Sequence, residues 1–149
     1  MGAEAKLVEL GITLPPPPAT KPYLNMAIKV GSMIYASGHV SDMKGRLGAG
    51  LTTEQGQLAA REAMIKMLAS VRHAVGTLDH VRVVRLLGCV NSSPDFIEQH
   101  IVINGASDLV HQVFGKDSLG YHARSALGFA SLPTGVAVEI EGIFAVDNV

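Results

Sequence analysis

Val81-Arg82-Val83-Val84-Arg85-Leu86-Leu87-Gly88-Cys89-Val90-Asn91 reads as a long strand with apolar residues on both faces. Val81, Val83, Leu87 and Cys89 alternate on one side, Val84, Leu86 and Val90 on the other. A strand of this kind needs cover on both sides. Just upstream, Thr52 and Gln55 form a capping box ahead of Ala60, Met64, Met67, Leu68, Val71, Ala74 and Val75, which recur at helical spacing until Gly76. Methionines at such points, Met43 included, can line a promiscuous groove, but apolar side chains at this spacing read as core. Downstream, Ser93 caps and Pro94 starts a second helix with the stripe Val102, Ala106, Leu109, Val110 and Val113, stopped at Gly115 and weakened by Gly105.

Two hairpins flank this centre. The first runs out through Ile28 and Val30, turns at Gly31 and Ser32 in the II′ pattern, and returns through Met33, Ile34, Tyr35 and Ser37. The second is read as Ala123–Ser131, a turn at Pro133–Gly135, and a strand with Val136, Val138, Ile140, Phe144 and Val146 on one face. It would bring Arg124 and a carboxylate, Glu139 or the equally placed Glu141, into one cleft. Between hairpin and helix, Asp42–Gly50 reads as a solvated glycine-rich loop. The order hairpin, helix, strand, helix, hairpin predicts an α+β single domain with a mostly antiparallel sheet and two helices packed on one face. The opposite face stays apolar, which predicts a symmetric homo-oligomer. Glu4–Leu10 forms a helical turn or two up to Gly11, and Pro15–Pro18 extend as polyproline, so residues 1–20 are an N-terminal arm and 21–149 the domain.

With 149 residues, 48% of them hydrophobic and 17% charged, the chain lies far from the disordered class. A formal net charge of -1 with scattered Lys and Arg offers no long-range attraction to phosphate, so nucleic acid is not an expected partner. Cys89 alone forms no disulfide within the chain and suits a reducing compartment. The absence of a basic start with an apolar run, or of any stretch of about 20 apolar residues, points to the cytoplasm and to no membrane. The six histidines lack the helical spacing of a zinc site, and no metal is expected. His39 and His122 stand beside candidate cleft segments. Walker, Rossmann and Gly-x-Ser-x-Gly patterns do not occur. Arg124 can fork a carboxylate, although most Arg and Glu in strands satisfy each other or water. Tyr23, after Pro22 at the mouth of the first strand, has a hydroxyl that can orient a ligand.

The run Ala123-Arg124-Ser125, then Leu132-Pro133, then Val138-Glu139-Ile140-Glu141 resembles the signature of the Rid, or YjgF-like, family of reactive-intermediate deaminases, also labelled endoribonuclease L-PSP. The similarity extends upstream through Pro22, Tyr23, Gly31–Ile34, Ser37 and Gly38, from about Pro22 to Val146. The resemblance implies a chorismate-mutase-like subunit in a homotrimer with clefts between subunits. It also implies cofactor-free hydrolysis of 2-imino acids, or the enamines they equilibrate with, to 2-keto acids and ammonia. In that scheme Arg124 clamps the substrate carboxylate and Glu139 orients and activates water. Tyr23, Ser37 and the backbone around Ala126 shape the pocket, and Asn104 matches a family asparagine on the second helix. His39 and Ala126 stand where the best-known members have Gln and Cys, and Ser107–His122 is longer, marking a divergent branch. A non-catalytic trimer that binds small carboxylates would show saturable binding without turnover. The ribonuclease label would need salt-sensitive RNA cleavage lost in Arg124→Ala.

Overall fold

The computed structural model describes residues 1–19 and 21–147; the domain boundary read at residue 20 and the domain end at 148–149 fall outside them. Seven strands and three α-helices form: α1 (Ala3–Glu9), β1 (Ala27–Val30), β2 (Met33–Val40), β3 (Arg46–Leu47), β4 (Gly50–Leu51), α2 (Thr53–Val75), β5 (Val81–Asn91), α3 (Gln99–Phe114), β6 (Ala123–Phe129) and β7 (Val138–Val146). The local signals act as their chemistry dictates. Thr52 and Gln55 close the capping box of α2, and Gly76 ends it with φ 88°. Gly31 turns β1 into β2 with φ 61°, and Ser32 keeps a negative φ, as a II′ turn requires. Met64 and Met67 are fully buried on the sheet-facing side of α2.

The five-stranded sheet has the order β1-β2-β7-β5-β6, antiparallel except for the parallel pair β5–β6. The hairpin expected between the last two strands is therefore wrong. β5, α3 and β6 form a crossover unit with β6 on the sheet edge, and β7 inserts between β2 and β5. Burial explains the swap. Val138, Ile140 and Phe144 of β7 are fully buried, whereas β6 is intermediate to exposed along its length and suits an edge.

Two bulges reset which side chains face the helices. Val83 pairs with Phe144 and Arg85 with Ile143, so Val84 is the extra residue on β5. Beyond it Leu86, Gly88 and Val90 join Val81 and Val83 on the helix side, while Arg85, Leu87 and Cys89 face away. The alternation read from the sequence is thus correct on each side of Val84 and inverted across it. On β2, Ala36 pairs with Gly142 but His39 with Ile140, which turns His39 inward and Val40 outward.

Three helices, not two, pack on the sheet. α1 docks through buried Ala3 and Leu7 rather than standing free as part of an arm. The Glu4 N–H donates to Asp79 Oδ1 at 3.0 Å, and the Leu78 N–H donates to Glu4 Oε1 at 2.9 Å. Leu14 is also buried, so the chain is anchored immediately before the prolines. The glycine-rich loop is likewise anchored, because Leu47 within it is fully buried. The core lies between sheet and helices, with Ile34, Met64, Leu68, Leu86, Ile103 and Phe144 fully buried; each contributes about 1.5–3 kcal/mol of transfer free energy. On the other side of the sheet Ile28, Val30, Tyr35, Leu127 and Phe129 remain exposed. Among the described residues no helix is long and apolar enough to cross a membrane.

Candidate functional site

Arg124 lies beside Leu86 in the β5–β6 pair and so shares its helix-facing side. There it meets a polar stripe on α3. His100, Asn104, Ser107 and His111 are spaced four, three and four residues apart and line one face of the helix. Arg124 Nη1 donates to Asn104 Oδ1 at 2.9 Å and to Ser107 Oγ at 3.1 Å, and Nη2 donates to the His100 carbonyl at 3.3 Å. Nε–H and one Nη2–H stay free among the described residues, and no carboxylate is ion-paired to the guanidinium. Burial pulls the Arg124 pKa down and Asp108 partly offsets this. A cavity of about 340 Å³ opens here, lined also by Asp108, Lys116, Tyr121 and His122. A guanidinium held in place without a direct ion pair, with N–H groups to spare, has the geometry to accept an anion.

Glu139 occupies the opposite face. It pairs with Val40 on β2 and Cys89 on β5, and its carboxyl lies over Gly38, at the β2 bulge. Burial, then repulsion from Glu141, raises its pKa above the ordinary carboxylate value. Glu141, exposed opposite Leu87, shows no such confinement. Burial, then Glu139 and Glu141, pushes the Cys89 thiol up to about 11, which makes it a poor nucleophile. Ser37 Oγ donates to the Asn25 carbonyl at 2.6 Å and ties the segment after Tyr23 to β2; Tyr23 itself is 95% exposed. Beside Gly38 and Val40 a second cavity, of about 450 Å³, is lined by Pro15, Pro16, Pro18, Leu24 and Met26.

The six residues singled out in the sequence therefore fall into two groups. Arg124, Asn104 and Ala126 gather where β6 meets α3, with Ala126 on the same side of β6 as Arg124 and packed on the core. Glu139 and Ser37 belong to the β2–β7 side, and Tyr23 lies exposed on the segment just before Asn25, which Ser37 holds. Within one chain Arg124 and Glu139 share no cleft, because β5 separates their strands and they face opposite sides of the sheet.

The histidines also divide. His39 is a core residue, only 3% exposed, with Nδ1 against the Ser37 carbonyl at 2.6 Å and Nε2 against Ser70 Oγ at 2.8 Å. His122 belongs to the Arg124 cavity, its Nε2 3.0 Å from Ser107 Oγ. Ser107 joins this group without being marked by the apolar stripe of α3; the sequence signal for it is the helical spacing His100, Asn104, Ser107, His111 on the opposite, polar face. Among the described residues no three His, Cys, Asp or Glu side chains group as metal ligands would.

A family model described as Endoribonuclease L-PSP matches residues 14–146. Protein TCP17 of Trypanosoma cruzi is 44% identical over 153 residues, covering 97% of this chain and 94% of that protein. The crystal structure of Atu1372 from Agrobacterium tumefaciens, described as of unknown function, superposes with a TM-score of 0.87 at 38% identity over 97% of this chain and 94% of that one. A Shewanella oneidensis protein whose name proposes an endoribonuclease superposes with a TM-score of 0.90 at 28% identity, covering 99% and 100%.

Proposed function

The chain belongs to the endoribonuclease L-PSP (Rid, YjgF-like) family, and from that premise we propose that it is a cytoplasmic homotrimer hydrolysing reactive 2-imino acids and their enamines to 2-keto acids and ammonia, in clefts between subunits. The observation that carries this reading is the Arg124 guanidinium, fixed by Asn104, Ser107 and the His100 carbonyl while two of its N–H groups stay free. A planar fork of that kind suits the carboxylate common to all 2-imino acids.

In the proposed reaction the carboxylate sits on Arg124 and water adds to the protonated imine carbon. Glu139 takes the proton released by the water and returns it to the departing nitrogen. The C–N bond then breaks as the freed Glu139 carboxylate takes the hydroxyl proton, giving the keto acid and ammonia, which leaves with that proton as ammonium. A carboxylate whose pKa is raised by burial is better matched to proton transfer near neutral pH than an exposed one. Tyr23, Ser37 and the backbone at Ala126 bound the pocket. Imines hydrolyse in water unaided, so placement and proton handling suffice for acceleration and no cofactor takes part.

Because Arg124 and Glu139 face opposite sides of the sheet, a cleft containing both draws them from different copies. The uncovered apolar residues Ile28, Val30, Tyr35 and Leu127 supply surface for such an assembly. The test is complementation. Arg124→Ala and Glu139→Ala are each expected to be inactive on an enzymatically generated 2-imino acid. Trimers assembled at random from equal amounts of the two should recover about a quarter of wild-type activity, since that fraction of all clefts pairs an intact Arg124 with an intact Glu139. A wild type that leaves the hydrolysis rate unchanged sinks the deaminase reading. If it still binds 2-keto acids saturably, the carboxylate-binding alternative takes its place.

A further inference from the structure

Arg124 is held through a directed chain of hydrogen bonds that ends on His122. The His122 Nδ1 lies 2.6 Å from the Gly120 carbonyl oxygen, which can only accept, so Nδ1 carries a proton. The Gly120 position is set by close approach: a Cβ there would lie 2.7 Å from the Gly115 carbonyl oxygen and 2.9 Å from that of Val110, which leaves room only for glycine. With Nδ1 protonated, the neutral imidazole offers Nε2 as an acceptor, and the Ser107 hydroxyl 3.0 Å away donates to it. Ser107 Oγ then turns its lone pairs to the Arg124 Nη1–H at 3.1 Å. In this arrangement each bond from the Gly120 carbonyl through His122 and Ser107 to Arg124 Nη1 pairs one donor with one acceptor. Adding a proton at Nε2 would aim two cationic N–H groups at a single hydroxyl oxygen. The same is disfavoured by burial and by the neighbouring His111, whose ring centroid lies 5.4 Å away.

We infer that His122 is a positioning residue for the carboxylate clamp: through the Ser107 hydroxyl, its neutral imidazole fixes the Arg124 guanidinium and thereby the pose in which an anion is bound. This rests on the reading of Arg124 as a clamp and deepens it. It also gives the segment between α3 and β6 a task, because that segment supplies both Gly120 and His122.

Two measurements on the full chain test it. Nitrogen-15 spectra of the imidazole at neutral pH are expected to show a protonated Nδ1 and a bare Nε2; the opposite tautomer overturns the inference. Calorimetric binding of pyruvate, as the carboxylate probe, is followed beside the kinetics of 2-imino acid hydrolysis. His122→Phe removes the acceptor and is expected to raise the pyruvate Kd and the KM roughly tenfold, the scale of a lost hydrogen bond in a charged network, with kcat within about twofold. His122→Gln places an amide oxygen within reach of Ser107 and is expected to recover most of the affinity. Equal losses in the Phe and Gln variants overturn the inference. If His122→Phe fails to fold, Ser107→Ala must show the same loss on the binding side. A wild type that binds pyruvate with this pattern but accelerates no imine defeats the deaminase reading and leaves the positioning role standing. A wild type that binds no pyruvate defeats the positioning role itself.

Discussion

Gly38 lies directly against the carboxyl of Glu139: a Cβ at position 38 would sit 2.8 Å from Oε1 and 3.1 Å from Cγ. The bulge on β2 brings the two together, since Val40, not Gly38, is the register partner of Glu139. Glycine at this point leaves room for the carboxylate.

Gly38→Ala should move the Glu139 carboxylate instead of unfolding the protein, because the atoms it meets are the far end of a flexible side chain. Under the proposed mechanism, deamination is expected to fall roughly a hundredfold, the cost of misplacing a reacting group by about an ångström, with stability changed by less than about 1 kcal/mol. Parallel activity and urea-melt measurements check this; a large loss of stability with intact activity would contradict it.

Glu139→Gln should separate stability from function. The raised pKa means that above the ordinary value of 4.5 the folded chain holds more protons than the unfolded one, so stability declines as pH rises toward the folded pKa. Gln removes that decline. The variant is expected to melt higher than wild type at neutral and mildly alkaline pH while losing the proposed deaminase activity.

His39 gives a dependence of the opposite sign. Burial lowers its folded pKa below 6.5, so between that value and 6.5 the unfolded chain binds more protons and stability rises with pH. Stability is therefore lost as pH falls below 6.5. His122, also shifted down by burial, adds to the same slope. Denaturant melts between mildly acidic and neutral pH should show the slope in wild type and a shallower one in His39→Gln.

Gly105→Ala should be severe. A Cβ there would lie 2.0 Å from the Gln57 carbonyl oxygen, where α2 passes α3, and a backbone atom cannot swing aside. Overpacking between two helices is expected to cost about 3 kcal/mol or more, read as a lowered urea midpoint. A midpoint within error of wild type would contradict this close approach of α2 to α3.

Much of this protein is legible in its residues. Thr52 and Gln55 announce the start of α2 and Gly76 its end, Gly31 and Ser32 set the II′ turn, and the limits of β5 read directly as Val81–Asn91, because caps, turns and strand breakers act within a few residues. Gly105, a weakness when α3 is read alone, is explained by its neighbour helix.

What tertiary structure alone decided is where the functional side chains point. Inserting β7 between β2 and β5 is a choice among long-range pairings, which a local pattern does not rank. Each bulge adds one residue to one strand, and with a side-chain period of two that single residue flips every position beyond it, as at Val84 and ahead of His39. Arg124 is legible in the sequence, and the family resemblance picks Glu139 over the equally placed Glu141; that Arg124 and Glu139 face opposite sides of the sheet follows from strand order and register, which only the folded chain establishes.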